Sequence, residues 1–170
     1  IIPDSVKSIG TYAFYCCSKL SNLHIGSGIT SIPNSAFECI TVKNLVIPDT
    51  VKTIGQMAFY YCSSMETLHL GSGVTTIGNT AFLDCRGIKE LYIPASVTSI
   101  NSSAFQSCVK LETIVVSSAN TVYDSRNNCN AIIKTSTNQL IQGCNTTIIP
   151  DSVTSIGAYA FYDCTKLTGI

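Results

Sequence analysis

Charged residues are scarce in this chain: Asp, Glu, Lys and Arg together make up 12% of its 170 residues, and the formal net charge is zero. A protein that binds nucleic acid needs a basic surface to neutralise phosphates, so this balance predicts no nucleic-acid partner. Long apolar runs are lacking as well. None approaches the roughly 20 residues that a membrane-spanning helix needs, so we expect no membrane span in this segment.

Groups that carry out chemistry are also few. The two histidines, His24 and His69, fall two repeats apart, and at about 10 Å they are too distant to share one metal ion. The aspartates that follow a proline, Asp4, Asp49 and Asp151, are typical of turns. The sequence contains no glycine-rich phosphate loop, nucleophile elbow or paired-cysteine zinc motif. We therefore predict no catalytic, metal or cofactor site, and we predict that the chain is not an enzyme.

What the sequence does contain is a repeat. The dipeptide Ala-Phe begins at residues 13, 36, 58, 81, 104 and 160, at intervals of 23, 22, 23, 23 and 56 residues. Each copy is preceded by two apolar positions three residues apart: Val6 and Ile9, Ile29 and Ile32, Val51 and Ile54, Val74 and Ile77, Val97 and Ile100, Val153 and Ile156. A fixed short period of this kind indicates a solenoid, in which each repeat buries its apolar face against its neighbours.

Two extended segments alternate within each repeat. The first, such as 45–47 or 91–93, places aliphatic side chains inward and the middle residue outward, and the second, such as 51–54, is rich in β-branched residues. Proline or Gly-Ser-Gly corners separate them. We therefore predict a mainly-β leucine-rich-repeat solenoid: parallel sheets on two walls, short helical or 3-10 turns at Ala-Phe, and six repeats of about 23 residues.

The long fifth interval holds an insertion. We expect residues 1–170 to form a single solenoid domain, with 117–147 as an elaborated repeat that contains a β-hairpin. In this hairpin, 130–134 and 139–143 would be antiparallel strands joined by 135–138. The cysteines that bracket it, Cys129 and Cys144, are either a disulfide or two more buried thiols.

The other cysteines recur with the repeat. Six of them are interpreted as one equivalent position per coil: Cys17, Cys39, Cys62, Cys85, Cys108 and Cys164. Stacked coils would place them in a row at roughly the 5 Å strand spacing. Because free cysteine behaves as a small, readily buried apolar side chain, we expect a row of buried thiols.

The outward positions of the first extended segment form the candidate binding face. This face comprises Asn22, His24, Asn44, Val46, Thr67, His69, Glu90, Tyr92, Thr113 and Val115. Solenoids hold partners on extended sheet faces, so a protein or glycan ligand is expected here, although the same residues would also suit an ordinary exposed strand. The opposite wall, rich in Ser, Thr and Lys, is interpreted as solvated surface.

Segments such as 47–55, IPDTVKTIG, followed by 58–62, AFYYC, resemble the BspA-like leucine-rich repeats of bacterial and some protozoan surface proteins. The resemblance covers essentially the whole chain outside the insertion. It implies an extracellular or cell-surface protein that mediates protein binding or adhesion to host matrix, host cells or other bacteria. The alternative is a structural spacer, stalk or self-assembling repeat array without a specific ligand.

The ends of the chain are expected to be bare. Ile170 leads into Ile1 without loss of phase, and no polar capping repeat is present at either end. We therefore expect this segment to be part of a longer array, or to make end-to-end contacts through its uncapped termini.

Overall fold

The computed structural model describes residues 1–101 and 103–168, and Ile170, used in the phase argument above, lies outside them. The chain winds as a solenoid. Each coil runs from a first-wall segment through a corner to a second-wall strand and then to an Ala-Phe turn. We number coils 1 to 5 by the turns that begin at Ala13, Ala36, Ala58, Ala81 and Ala104.

The two walls are short parallel sheets, as predicted. The first wall contains β2 (Asn44–Val46), β4 (Thr67–His69), β6 (Glu90–Ile93) and β8 (Thr113–Val116). The second wall contains β1 (Ser31–Ile32), β3 (Thr53–Ile54), β5 (Thr76–Ile77) and β7 (Ser99–Ile100). The second-wall strands pair continuously in the order β1-β3-β5-β7.

A column of phenylalanine rings runs through the interior. Neighbouring rings lie 5.1 to 5.4 Å apart between centroids and within 8° of parallel: Phe14, Phe37, Phe59, Phe82 and Phe105. This separation is close to the strand spacing of about 4.8 Å, so the coils stack in register. Aliphatic side chains such as Val51 and Ile54, each fully buried, pack beside the column. The predicted apolar spine is confirmed.

The Ala-Phe segments are hydrogen-bonded turns, but they are not helices. Tyr12 (φ 60°) and Cys16 (φ 54°) flank Ala13-Phe14 in the left-handed region, and later coils repeat this pair of positions. Because left-handed residues interrupt the helical path, alternate N–H groups point out of the turn. Phe14 N–H donates to the Ala36 carbonyl of the next coil at 2.8 Å, whereas Ala13 N–H donates to Gly10 within the turn. The single helix among the described residues is a 3-10 helix at Arg126–Asn128.

The buried thiol row contains Cys62, Cys85 and Cys108, and each thiol donates to the carbonyl of a phenylalanine in the preceding coil. Burial raises the pKa of Cys108 to about 12, so its thiol stays protonated. The prediction was wrong for Cys17, which is exposed, and for Cys39 and Cys164, which are half-buried. For Cys39 there is a specific reason. Coil 2 is one residue short after its turn, so Ile40, 1% exposed, fills the slot instead.

The insertion extends the second wall with an antiparallel hairpin. Its strands are β9 (Tyr123–Asp124), β10 (Ile132–Lys134) and β11 (Gln139–Gln142), and β12 (Ser155–Ile156) then pairs parallel to β11. The Tyr123 hydroxyl accepts the Ile100 N–H at 3.0 Å and so links the hairpin sheet to β7. The hairpin therefore occupies the place of a second-wall strand.

The two cysteines that bracket the hairpin are buried free thiols in the structure. Cys129 packs in a small separate core with Ile133 and Leu140, whereas Cys144 belongs to the main core. The Cys144 thiol donates to the Asn130 carbonyl at 3.3 Å. A disulfide between Cys129 and Cys144 stays a prediction.

Candidate binding face on the first wall

The corners of the solenoid alternate between two kinds. Coils 1, 3 and 5 turn at Pro3, Pro48 and Pro94, whereas coils 2 and 4 turn at the Gly-Ser-Gly segments 26–28 and 71–73. First-wall pairing follows this alternation. Ile2 of coil 1 bridges Ile25 of coil 2, β2 pairs with β4, and β6 pairs with β8. The first wall is therefore built from two-coil units: coils 1 and 2, coils 3 and 4, and coil 5 with the following coil that carries β8 and the insertion.

A carboxylate holds each of the first two units together at the corner. Asp4 accepts the Ser27 N–H at 2.7 Å, and Asp49 accepts the Ser72 N–H at 2.6 Å. These backbone hydrogen bonds lower the pKa of both aspartates, because they favour the ionised form. The glycines admit the close approach: a methyl on Gly26 would lie 2.6 Å from the Pro3 carbonyl carbon.

The boundary between units uses a different contact. The Thr50 hydroxyl of coil 3 donates to the Ile29 carbonyl of coil 2 at 2.8 Å, and the Ser96 hydroxyl of coil 5 donates to the Val74 carbonyl of coil 4 at 2.6 Å. Among the described residues, no strand pairing joins 23–25 to β2, and none joins β4 to β6. The first wall opens at both boundaries, although the second wall stays continuous there.

Clefts lie where the first wall opens. The cleft between coils 2 and 3 has a volume of about 390 Å³ and is lined by Asp4, Leu23, His24, Ile25, Ser27, Asn44, Val46 and Pro48. The cleft between coils 4 and 5 has a volume of about 290 Å³ and is lined by Glu66, Thr67, Leu68, Lys89 and Glu90. The buried strand residue of the second cleft, Leu68, is 9% exposed, against 1% for Leu45, so the core is slightly uncovered there.

A third cleft lies where the first wall meets the insertion. Its volume is about 290 Å³, and its lining includes Val115, Asp124, Ser125 and Arg126. Partial burial raises the pKa of Asp124, but hydrogen bonds from Arg126 outweigh burial and hold the pKa below its ordinary value. The carboxylate is thus ionised and paired with Arg126 at 2.6 Å. The ion pair of Asp124 and Arg126 therefore forms part of the cleft wall and carries no net charge.

The structure brings the sequence-predicted residues together on one outward face. Asn44 lies opposite Thr67 and Val46 opposite His69, and Tyr92 lies opposite Val115. All ten side chains are exposed except Thr113, which is half-buried. Three apolar members present large areas: Val46 is 59%, Tyr92 50% and Val115 44% exposed.

The sequence patterns did not identify Ser27, Glu66, Lys89 and Arg126 as cleft residues, and they marked Asp4 only as a turn residue. One signal for them is present in the sequence. Pro3 and Pro48 are 45 residues apart, as are Gly26 and Gly71, so the true structural unit is twice the length of the Ala-Phe period. An alternation in corner type predicts an alternation in how neighbouring coils contact one another.

The face is chemically mild. An ion pair beside it, Lys43 with Glu66 at 3.6 Å, is exposed to solvent. Within residues 1–101 and 103–168, no group of three His, Cys, Asp or Glu side chains is arranged to hold a metal ion. No helix in the same ranges has the length and hydropathy to cross a membrane. Hydroxyl, amide, imidazole and exposed apolar groups, together with the Glu90 carboxylate, therefore make up the face.

Comparison with known proteins gives a consistent result. A family profile described as BspA type leucine-rich repeat region matches six copies, over residues 1–112, 30–143 and 133–170. No curated protein matches the chain in sequence.

Solved structures share the fold. The pneumococcal vaccine antigen PcpA is similar with a TM-score of 0.83 at 23% identity, over 94% of this chain and 41% of that one. A leucine-rich cell-surface protein from Faecalibacterium prausnitzii A2-165 has a TM-score of 0.71 at 27% identity, over 96% and 51%. A leucine-rich repeat protein from Eubacterium ventriosum ATCC 27560 has a TM-score of 0.63 at 25% identity, over 81% and 44%. This chain spans about half or less of each of these proteins.

Proposed function

Because the chain belongs to the family of BspA-type leucine-rich repeat proteins, we propose that it is a non-enzymatic binding module of an extracellular or cell-surface protein, with the first wall as its ligand-binding face. The ligand is a protein or a glycan of host matrix, host cells or other bacteria. The face and its clefts supply the contacts, and no cofactor takes part.

The observation that carries this proposal is the opening of the first wall at the unit boundaries. An exposed sheet face is a general docking surface, but a smooth one offers little to fix a ligand in place. Here the clefts of about 390 and 290 Å³ interrupt the face two coils apart, which is about 10 Å at the strand spacing. An extended ligand that crosses the coils could place side chains or sugar rings in both clefts.

The side chains beside the clefts suit such a ligand. His24 and Val46 line the first cleft, and His69 and Tyr92 flank the second on opposing strands. Aromatic and imidazole groups combine an apolar surface with a hydrogen-bonding tip, a combination common at binding interfaces. The formal net charge of zero fits a partner that is recognised by contact and not by long-range attraction.

The extracellular location is supported by resemblance alone. One similar structure is described as a cell-surface protein and another as a vaccine antigen, and these descriptions apply to those proteins. We extend them to this chain as part of the proposal.

The test compares two triple variants in surface plasmon resonance against a panel of extracellular-matrix proteins and on a glycan array. The first variant, His24→Ser with His69→Ser and Tyr92→Ser, alters the first wall. The control, Lys7→Ser with Lys52→Ser and Thr98→Ser, alters exposed residues of the second wall. Circular dichroism and thermal unfolding would establish that both remain folded.

We expect saturable binding by the native chain, a loss of at least about tenfold in affinity for the first-wall variant, and native affinity for the control. If the first-wall variant binds as tightly as the native chain, the face has been assigned wrongly. If the native chain shows no saturable binding to any probe, the adhesion proposal fails and the spacer alternative is favoured.

A further inference from the structure

Cys16 and Cys39 lie side by side on the outside of the Ala-Phe turns of coils 1 and 2. The Cys16 N–H donates to the Glu38 carbonyl at 2.9 Å. Two residues earlier, the Phe14 N–H makes the same bond to Ala36, and the Phe14 ring stacks on Phe37. The shared offset places Cys16 opposite Cys39, as Phe14 is opposite Phe37.

This register brings the two cysteines within reach of each other. Neighbouring coils are separated by about 4.8 Å, which falls inside the Cα separation of about 4.4 to 6.8 Å that a disulfide spans. The two residues also share a backbone conformation in the left-handed region, with φ of 54° for Cys16 and 61° for Cys39. The Cys16 side chain is close enough to contribute to the raised pKa of Cys39.

Access distinguishes this pair from the other stacked cysteines. Cys62 and Cys85 are also in register one coil apart, but both are fully buried and donate to backbone carbonyls. Cys16 is exposed and Cys39 is half-buried. Cys17 is also exposed, but the same 23-residue offset places Ile40, and not a second cysteine, opposite it in the next coil. Among the stacked neighbours, the outer pair is the one that a soluble oxidant can reach.

We propose that Cys16 and Cys39 form a redox modification site, in which a soluble or enzyme-borne disulfide oxidises the two thiols to a disulfide that joins coil 1 to coil 2. The Cys16 thiolate attacks one sulfur of the oxidant, forming a mixed disulfide and releasing the first thiol. The Cys39 thiolate then attacks the Cys16 sulfur and releases the second thiol. The two protons leave on the two released thiols, so the protein loses two electrons and the oxidant gains them.

The order of attack follows from exposure. Partial burial, and next the neighbouring Cys16 side chain, raise the pKa of Cys39 to about 11, so Cys39 is rarely ionised at neutral pH. Cys16 is therefore the thiol that reacts with the oxidant, and Cys39 is the thiol that resolves the mixed disulfide.

The disulfide would strengthen the interface between coils 1 and 2, where the first wall contributes little strand pairing. On the first wall, the described strand pairing between coils 1 and 2 is the bridge of Ile2 with Ile25, and the first-wall segment of coil 2 has no described strand pairing to coil 3. A covalent bond across the turns would restrict fraying of coil 1. The site is on the turns and not on the first wall, so it stands independently of the proposed binding face.

The experiment treats the full chain with oxidised glutathione, blocks the remaining thiols and maps tryptic peptides by mass spectrometry. Cleavage after Lys7, Lys19 and Lys43 places Cys16 and Cys17 in peptide 8–19 and Cys39 in peptide 20–43. The variants Cys16→Ser and Cys39→Ser remove one partner each. Cys17→Ser is the matched control, because it alters an equally exposed neighbour and leaves the pair intact.

We expect a monomer in which 8–19 is linked to 20–43, in the native chain and in Cys17→Ser. The link should be absent in Cys16→Ser and Cys39→Ser, and only the two variants that form it should gain in Tm on oxidation. Three results would overturn the proposal: a stable glutathione adduct on Cys16 with Cys39 still free, a bond confined to peptide 8–19, or a disulfide-linked dimer. In Cys17→Ser, Cys16 is the one cysteine left in peptide 8–19. A Cys17→Ser chain that folds but forms no link between peptides 8–19 and 20–43 would therefore also overturn the proposal.

Discussion

The Asp49 carboxylate accepts hydrogen bonds from both the backbone N–H and the hydroxyl of Ser72, at 2.6 and 2.9 Å, although the two residues are 23 positions apart. The same corner contact joins Asp4 to Ser27. In the third two-coil unit Ala95 stands where the aspartate would be. There the Asn120 amide donates to the Pro94 and Val97 carbonyls instead. A polar side chain at the corner is thus common to all three units, whichever of the two coils supplies it.

Replacing Asp49 with alanine should destabilise coils 3 and 4. The Ser72 N–H would lose a charged acceptor, and the Gly-Ser-Gly corner would no longer be held against the proline corner. We expect Tm to fall by a few degrees and amide exchange near Ser72 to accelerate. Asp151→Ala is the matched control, because Asp151 follows a proline in the same way but makes no hydrogen bond through its carboxylate within the described residues. An equal loss in both variants would contradict the corner assignment.

The Asp49 contact should also be lost in acid. Because the folded-state pKa of Asp49 lies below the ordinary value of 3.8, its contribution to stability is complete above pH 3.8 and disappears as the pH falls through the folded-state pKa. The difference in Tm between the native chain and Asp49→Ala should therefore be constant near neutral pH and shrink below about pH 4. Thermal unfolding at a series of pH values measures this. A difference that persists unchanged at pH 2 would show that the carboxylate charge is not responsible.

Gly71 should not tolerate alanine. An added methyl would lie 2.5 Å from the Pro48 carbonyl carbon, and neither the backbone of coil 3 nor that of coil 4 can move away without breaking the corner contact. Overpacking of this kind costs about 1 to 3 kcal/mol in the free energy of unfolding. Gly10→Ala provides the control, since a methyl there meets nothing within 4 Å. Urea denaturation of both variants gives the comparison, and equal midpoints would mean that the corners do not pack as described.

Most of the fold follows from the sequence because the repeat constrains it locally and globally at once. Buried positions such as Val51 and Ile54 recur at a fixed offset from Phe59, and in-register stacking is the one arrangement that buries them all. The same logic failed at Cys39. Coil 2 is one residue shorter than the other coils after its turn, so Cys39 does not occupy the buried position that cysteine occupies in coils 3 to 5. When repeats are aligned by residue type alone, cysteine is matched with cysteine and this shift is not seen. Counting three positions from Phe37 identifies Ile40 instead.

The candidate face was predictable, but its clefts were not. Alternation along each strand predicts which side chains point outward, and the exposed His24 and Val46 confirm that geometry. Whether neighbouring strands pair depends on how corners fit together between coils, which is a property of backbone shape. In the sequence, the pairing of first-wall strands is indicated only indirectly, by the alternation of corner residues such as Pro48 and Gly71.

The phenylalanine column should carry more stability at its centre than at its end. Phe59 is fully buried and stacks on Phe37 and Phe82, whereas Phe14 is half-buried and stacks on Phe37 alone. We expect Phe59→Ala to cost about 3 to 5 kcal/mol in the free energy of unfolding. Phe14→Ala should cost less than half as much. Urea denaturation tests the ranking, and a reversed order would show that the coils do not share one continuous interior.

Closure of the proposed Cys16–Cys39 disulfide should accelerate with pH. The resolving step needs the Cys39 thiolate, and with a pKa of about 11 its population rises tenfold for each pH unit up to that value. The reaction can be followed between pH 7 and 9 by quenching samples with acid at successive times. A mixed disulfide on Cys16 should form first. The rate at which the linked product then forms should increase about a hundredfold from pH 7 to pH 9, in proportion to the ionised fraction of Cys39. A closure rate that is flat across this range would mean that Cys39 does not resolve the mixed disulfide. In Cys39→Ser the adduct should form at the native rate and persist, because the residue that expels glutathione is gone.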